Sequence, residues 1–126
     1  MKHVFIDANV LLEILFDRKL SDKCQSLIQD PGNQYSISAL TVHITWYMAE
    51  RYKVQTEVVD NLLSVWEVLP ITEKTTYIAR IRYDGKDFED CLQAISAEEA
   101  MCDEIITIDS HFKDYSHTEL PVLVIK

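Results

Sequence analysis

The sequence predicts an α/β fold: a mostly parallel central sheet of about five strands, flanked by helices on both faces. Three observations point there. Short apolar runs alternate with segments of helical periodicity along the whole chain. Only two glycines and three prolines interrupt the 126 residues, so successive elements must follow one another closely. Apolar runs also end in, or lie beside, aspartates, as in Val4-Phe5-Ile6-Asp7 and Ile105-Ile106-Thr107-Ile108-Asp109. A buried strand that ends in Asp delivers a carboxylate to its C-terminal edge, where open parallel sheets place their sites.

The elements follow in order. A first strand over about His3 to Asp7 leads into a helical pattern of Val10, Leu11, Ile14 and Leu15. Leu27 and Ile28 continue that pattern after a break near Asp17 to Ser21. Asp30-Pro31-Gly32-Asn33 reads as a turn, and Tyr35 to Ser38 alternates as a strand. Ala39 to Tyr52 reads as a helix with Leu40, Ile44, Tyr47 and Met48 on one side, followed by a helix over Gln55 to Leu63. Val65 to Leu69 forms a strand closed by Pro70. Helical patterns return at Glu73 to Tyr83 and Phe88 to Met101, and the strands Ile105 to Ile108 and Val122 to Ile125 complete the set. Right-handed crossovers put the strand C-termini on one edge.

The length suits one core, so residues 1–126 are expected to form a single domain. No apolar stretch approaches the roughly 20 residues of a membrane span, and no secretory h-region precedes the first strand; the expectation is a soluble, cytoplasmic protein without membrane contact. Cys24, Cys91 and Cys102 match no metal-ligand spacing and read as reduced core residues. Twelve basic and 21 acidic side chains give a net charge of −9, which opposes the basic footprint of a passive nucleic-acid binder. An enzyme that reaches phosphates through bound cations escapes that objection, because the ions invert the local electrostatics.

Asp7, Asp87, Asp90 and Asp109 are the candidate site residues. Each has an ordinary structural explanation: Asp7 and Asp109 as caps, Asp87 and Asp90 as acids complementing the dipole of the helix they open. Three separate loops supplying acids to one sheet edge shift the balance toward a shared site. Asp87 and Asp90 are spaced i, i+3 on one helix face, leaving Phe88, Cys91, Leu92 and Ile95 to pack on the sheet. Carboxylates crowded in a cleft repel unless protonated or neutralised by a cation. Oxygen-only ligands suit Mg2+ or Mn2+ better than zinc, and such ions are commonly completed by substrate phosphates. The natural reaction class is phosphodiester hydrolysis.

Phe5-Ile6-Asp7-Ala8-Asn9-Val10-Leu11-Leu12, Ile37-Ser38-Ala39-Leu40-Thr41, Asp87-Phe88-Glu89-Asp90 and Ile106-Thr107-Ile108-Asp109-Ser110-His111-Phe112 form an ordered set over nearly the whole chain. The set resembles the PIN-domain nucleases, especially the branch related to VapC-type toxin ribonucleases. The resemblance implies a three-layer sandwich and a Mg2+/Mn2+-dependent endoribonuclease with Asp7, Asp90 and Asp109 as metal ligands. It also implies a homodimer and an antitoxin protein partner. One position departs from the pattern: the family's frequent acid six residues after the Ser of the second strand-to-helix turn is Ile44 here. Asp87 is expected to take over that carboxylate.

Ser38 and Thr41 can orient water near a metal but also have ordinary capping roles. Trp46, Tyr47, Trp66 and Tyr77 read as core residues, His43 as a surface or structural residue, and Lys86, next to the acidic motif, as the basic residue best placed for phosphate. The competing reading is a catalytically weak or silent PIN-like domain that binds protein or RNA, motivated by Ile44 and the −9 charge. A phosphoaspartyl enzyme of the dehalogenase kind is disfavoured, since the residue two after Asp7 is Asn9 rather than a second Asp.

Overall fold

The computed structural model describes residues 1–126. Five strands, β1 (Lys2–Ile6), β2 (Asn33–Ser38), β3 (Glu67–Leu69), β4 (Glu104–Thr107) and β5 (Val122–Val124), form one parallel sheet in the order β3-β2-β1-β4-β5. Seven helices connect and cover them: α1 (Ala8–Leu15), α2 (Ser21–Leu27), α3 (Ala39–Arg51), α4 (Thr56–Leu63), α5 (Glu73–Arg82), α6 (Phe88–Glu99) and α7 (Phe112–Ser116).

Alternation along the strands sends side chains to two different cores. Val4, Ile6, Ile37 and Ile106 pack with Val10 and Leu11 of α1, Cys24 of α2, Ala49 of α3, and Val59 and Leu63 of α4. Phe5, Leu69 and Ile105 pack on the other side with Ala94 and Ala97 of α6 and with Phe112 of α7. Ala79 of α5 joins Cys91 and Ile95 of α6 in a third, smaller cluster. Helices therefore cover both faces, and the centre of the sheet is sealed: Phe5 and Ile105 are partners in the β1–β4 register and neither reaches solvent. All three cysteines are free and buried, as expected.

Several helix starts are fixed by side chains. The Ser38 hydroxyl accepts the Thr41 N–H at 3.2 Å and caps α3, while Thr72 and Thr75 form a reciprocal capping box that starts α5.

The structure differs from the expected boundaries in instructive places. Asn33 belongs to β2 rather than to the preceding turn. The third strand is shorter than Val65 to Leu69, because Val65 is 74% exposed and the Trp66 indole N–H donates to the Leu62 carbonyl, which keeps that stretch with the end of α4. Helix α6 stops at Glu99, before Met101, whose positive φ of 60° ends any helical continuation. Helix α7 was not expected; at five residues it is too short to show periodicity, although its Phe112 is fully buried. Tyr47 and Tyr77, read as core, are 54% and 60% exposed, whereas Trp46 and Trp66 do pack against the larger core. No helix is long and apolar enough to cross a membrane.

Candidate metal centre

The chain runs outward from β1 through β2 to β3, then crosses back to place β4 on the opposite side of β1. That reversal opens a crevice at the C-terminal ends of β1 and β4, the position where parallel α/β sheets hold ligands. Asp7 is the first residue beyond β1 and is 1% exposed. Its Oδ1 accepts the Ala8 N–H at 2.8 Å, capping α1, and its Oδ2 accepts the Thr107 hydroxyl at 2.7 Å. Thr107 ends β4, and its Oγ1 in turn accepts the Asp109 N–H at 3.0 Å. Asp109 Oδ1 accepts the His111 N–H at 2.8 Å, a local turn that leaves the second oxygen free.

Helix α6 brings the remaining acids. Asp87 is its N-cap, in the left-handed region at φ 47° and ψ 77°, and its side chain accepts the Asp90 N–H at 3.1 Å. Gly85, at φ 96°, supplies the sharp turn just before it. Asp tolerates this conformation better than most residues. The turn pulls Asp87 back over the helix start, so that Asp87 and Asp90 share one side. Asp90 is 3% exposed, and its Oδ2 is buried without any hydrogen-bond partner.

These elements gather five carboxylates into overlapping groups. Oxygens of Asp87, Asp90 and Asp109 lie within 4.8 Å of one another, as do oxygens of Asp7, Glu89 and Asp90. No basic side chain pairs with any of the five; the ion pairs of the chain, such as Lys2–Glu104, Arg82–Glu98 and His117–Asp84, lie elsewhere. The crowding is visible in the acidities. Burial, opposed by the Thr107 hydrogen bond and reinforced by the charges of Glu89 and Asp109, pushes Asp7 up to about 7. Asp90 is pushed up to about 9, first by desolvation and then by Asp7, Asp87 and Asp109. Without a cation the cleft resists carrying its full charge.

Residues present here fit a hard divalent cation. The donors are all oxygens, no cysteine or histidine joins them, and a buried carboxylate oxygen lacks a partner. A buried polar atom without a partner calls for one, and a cation is a partner that a carboxylate oxygen among other acids accepts.

All four expected site residues, Asp7, Asp87, Asp90 and Asp109, converge on this edge. Lys86 is exposed and makes no ion pair, and His43 is exposed on α3. Ile44 is half-buried, so α3 brings an aliphatic group where an acid was looked for. Ser38 and Thr41 are occupied by a residue the sequence did not single out: fully buried Gln93 accepts from the Ser38 hydroxyl at 2.5 Å and donates to Thr41 Oγ1 at 2.9 Å. Thr107 and Glu89 were overlooked as well. Spacing did offer a signal for Gln93, which lies three residues after Asp90 and thus on the same side of α6.

Compared with protein families, residues 4–117 match the PIN domain. The chain belongs to the PIN domain family. Solved structures share the fold across nearly the whole length of this PIN domain. VapBC2 from Rickettsia felis, solved with a DNA fragment of its promoter, aligns with a TM-score of 0.74 at 16% identity, covering 98% of this chain and 99% of that one. A toxin–antitoxin complex from Klebsiella pneumoniae gives a TM-score of 0.74 at 19% identity, covering 98% of each chain. VapC20 of Mycobacterium tuberculosis, a toxin that cleaves the sarcin–ricin loop, gives 0.71 at 15% identity over 88% of this chain and 93% of that one. No curated protein matches by sequence.

Proposed function

We propose that this PIN domain is a divalent-metal-dependent endoribonuclease that hydrolyses RNA phosphodiester bonds, acting in the cytoplasm as the toxin of a toxin–antitoxin pair. The observation that carries the reading is Asp90: a carboxylate 3% exposed, with one oxygen bonded to nothing, facing acids from two other elements and no base. Of the expected ligands Asp7, Asp90 and Asp109, Asp90 is the central one: it gathers with Asp109 and with Asp87, the N-cap of α6, in one group of oxygens and with Asp7 in the other. When bound, Mg2+ or Mn2+ makes water a stronger acid and offsets charge gathering on the scissile phosphate. The chain contributes orientation. The Ala8 N–H and the Thr107 hydroxyl each hold one oxygen of Asp7, and the His111 N–H holds one of Asp109, so both carboxylates are fixed in place beside Asp90.

Fold neighbours support the toxin assignment, since two of them are VapBC or toxin–antitoxin complexes and a third is an RNA-cleaving toxin. The same likeness supports an antitoxin protein partner, and the resemblance of the sequence motifs suggests a homodimer. A chain of net charge −9 approaches RNA through its cations rather than through a basic face.

The test is cleavage of a labelled RNA by the purified chain. Activity is expected with Mn2+ or Mg2+ and not with EDTA, and is expected to vanish in Asp7→Asn and Asp109→Asn. Undiminished metal-dependent turnover in both variants overturns the reading. Ile44 favours one alternative, a silent PIN domain that binds protein or RNA; no Mn2+ binding at millimolar concentration selects it.

A further inference from the structure

Helix α7 carries an aromatic pair at the rim of the acidic cleft. The rings of His111 and Tyr115, four residues apart, stack with centroids 5.7 Å apart and an interplanar angle of 25°. His111 is rooted beside the cleft, because its N–H donates to Asp109 Oδ1 at 2.8 Å. We infer that this pair is a nucleobase platform: the base of a nucleotide whose phosphate sits at the cleft stacks on the open face of His111. The inference rests on the reading that the cleft, loaded with Mg2+ or Mn2+, receives a substrate phosphate.

Three observations carry it. The His111 side chain is 63% exposed and has Tyr115 on one side, which leaves its other face to solvent. The pair is also held in place before any ligand arrives. Phe112, next to His111, is fully buried, and the Cys91 thiol donates to the Tyr115 carbonyl at 3.2 Å, tying α7 to α6. Ordering a ring in advance removes a cost that binding would otherwise carry. Charge supplies the third observation. A chain of net charge −9 with five acids in its cleft repels an RNA backbone except at a bound cation, so further grip on the substrate falls to its uncharged parts, the bases. A simpler account makes the pair an ordinary i, i+4 contact that steadies a five-residue helix, with Asp114 3.5 Å from the imidazole. Such a contact would serve as well anywhere on the surface, whereas this one begins two residues after an acid of the cleft.

Stacking reads the π-face of a base, so the platform accepts any base but requires one that has left a double helix. The substrate it fits is RNA with an unpaired nucleotide next to the bond that is cut, in a loop, a bulge or a single strand.

Full-length chain loaded with Mn2+ is titrated by calorimetry with adenosine 5′-monophosphate and with ribose 5-phosphate, which offer the same phosphate with and without a base. The nucleotide is expected to bind about tenfold tighter or more, the gain that stacking one base supplies. His111→Ala is expected to bring the two affinities together, and His111→Phe, which restores a ring, to keep them apart. Circular dichroism and a Mn2+ titration of each variant accompany the measurement, and both are expected to match the unaltered chain. Equal affinities in the unaltered chain, or an undiminished preference in His111→Ala, overturn the platform and leave the nuclease reading standing. A loss of Mn2+ affinity in His111→Ala that accounts for the change assigns the residue to holding Asp109 and overturns it as well. Binding of neither phosphate also overturns the platform, and RNA cleavage by the same preparation then decides the nuclease reading separately.

Discussion

The two edges of the sheet carry similar residues in opposite states. At the N-terminal edge three acids are answered: Glu104 pairs with Lys2 at 3.0 Å, Asp103 accepts the His3 N–H at 2.8 Å, and Glu67 takes hydrogen bonds from Gln34 and Ser36 with His3 nearby. At the C-terminal edge five acids meet with no base among them. An Asp after a strand is therefore not the signal by itself. The signal is burial without a counter-charge, since pairing is what structural acids are given and what binding acids are denied.

Activity separates the edges most sharply. Asp109→Asn is expected to lower RNA cleavage by about a hundredfold or more, as even residues behind the ligands of metal centres cost 10- to 100-fold. Glu104→Gln is expected to leave turnover unchanged. Equal losses in the two variants break the comparison.

Proton linkage comes next. In the metal-free chain Asp7 and Asp90 keep their protons up to about 7 and about 9, whereas an unperturbed carboxyl releases its own near 3.8. Between those values the folded state binds more protons than the unfolded one, so stability falls as pH rises from about 4 through about 9. The melting temperature in EDTA is expected to be several degrees higher at about pH 5 than at about pH 8. Added Mn2+ should restore most of that difference at the higher pH and little at the lower one, where the ligands are protonated. Asp7→Asn should flatten part of the EDTA profile. A flat profile in the unaltered chain would falsify the crowding argument.

A third contrast concerns what holds the C-terminal edge in shape. Gln93→Leu strips the partners from the buried Ser38 and Thr41 hydroxyls, and is expected to cost about 1–3 kcal/mol by chemical denaturation. Smallest is the Lys2–Glu104 pair, with its Lys side chain 49% exposed: Glu104→Gln should change stability by less than about 1 kcal/mol. A larger loss there than in Gln93→Leu reverses the assignment of which edge is built tightly.

Much of this was legible beforehand, for physical reasons. Parallel strands buried on both faces read as apolar runs, so β1 and β4 stood out, and the acids that follow them stood out with them. Asp87 and Asp90 were linked by helical spacing alone. Glu89 escaped because it falls between those two in sequence, and only the left-handed turn at Asp87 shows how the start of α6 is folded back. Gln93 and Thr107 escaped for another reason. Spacing puts Gln93 on the side of α6 that carries Asp90, but a neutral polar side chain does not announce its partners, which lie 52 residues away for Gln93 and 100 for Thr107. Tyr47 and Tyr77 misled because an aromatic ring at helical spacing looks the same whether it packs inward or faces solvent.

The Thr107 hydroxyl has a single hydrogen, and the 2.7 Å contact with Asp7 claims it while Asp7 is ionised. Its lone pairs are then left to the Asp109 N–H and to the Asn9 amide at 3.3 Å, whose oxygen in turn receives the Ile108 N–H at 3.3 Å. All these bonds run in one direction, toward the carboxylate. When Asp7 takes up a proton, that hydrogen can be offered back and the hydroxyl is released to turn toward Asn9. One rotatable O–H thus links the ionisation of Asp7 to the backbone N–H groups that follow β4, about 100 residues away in the chain.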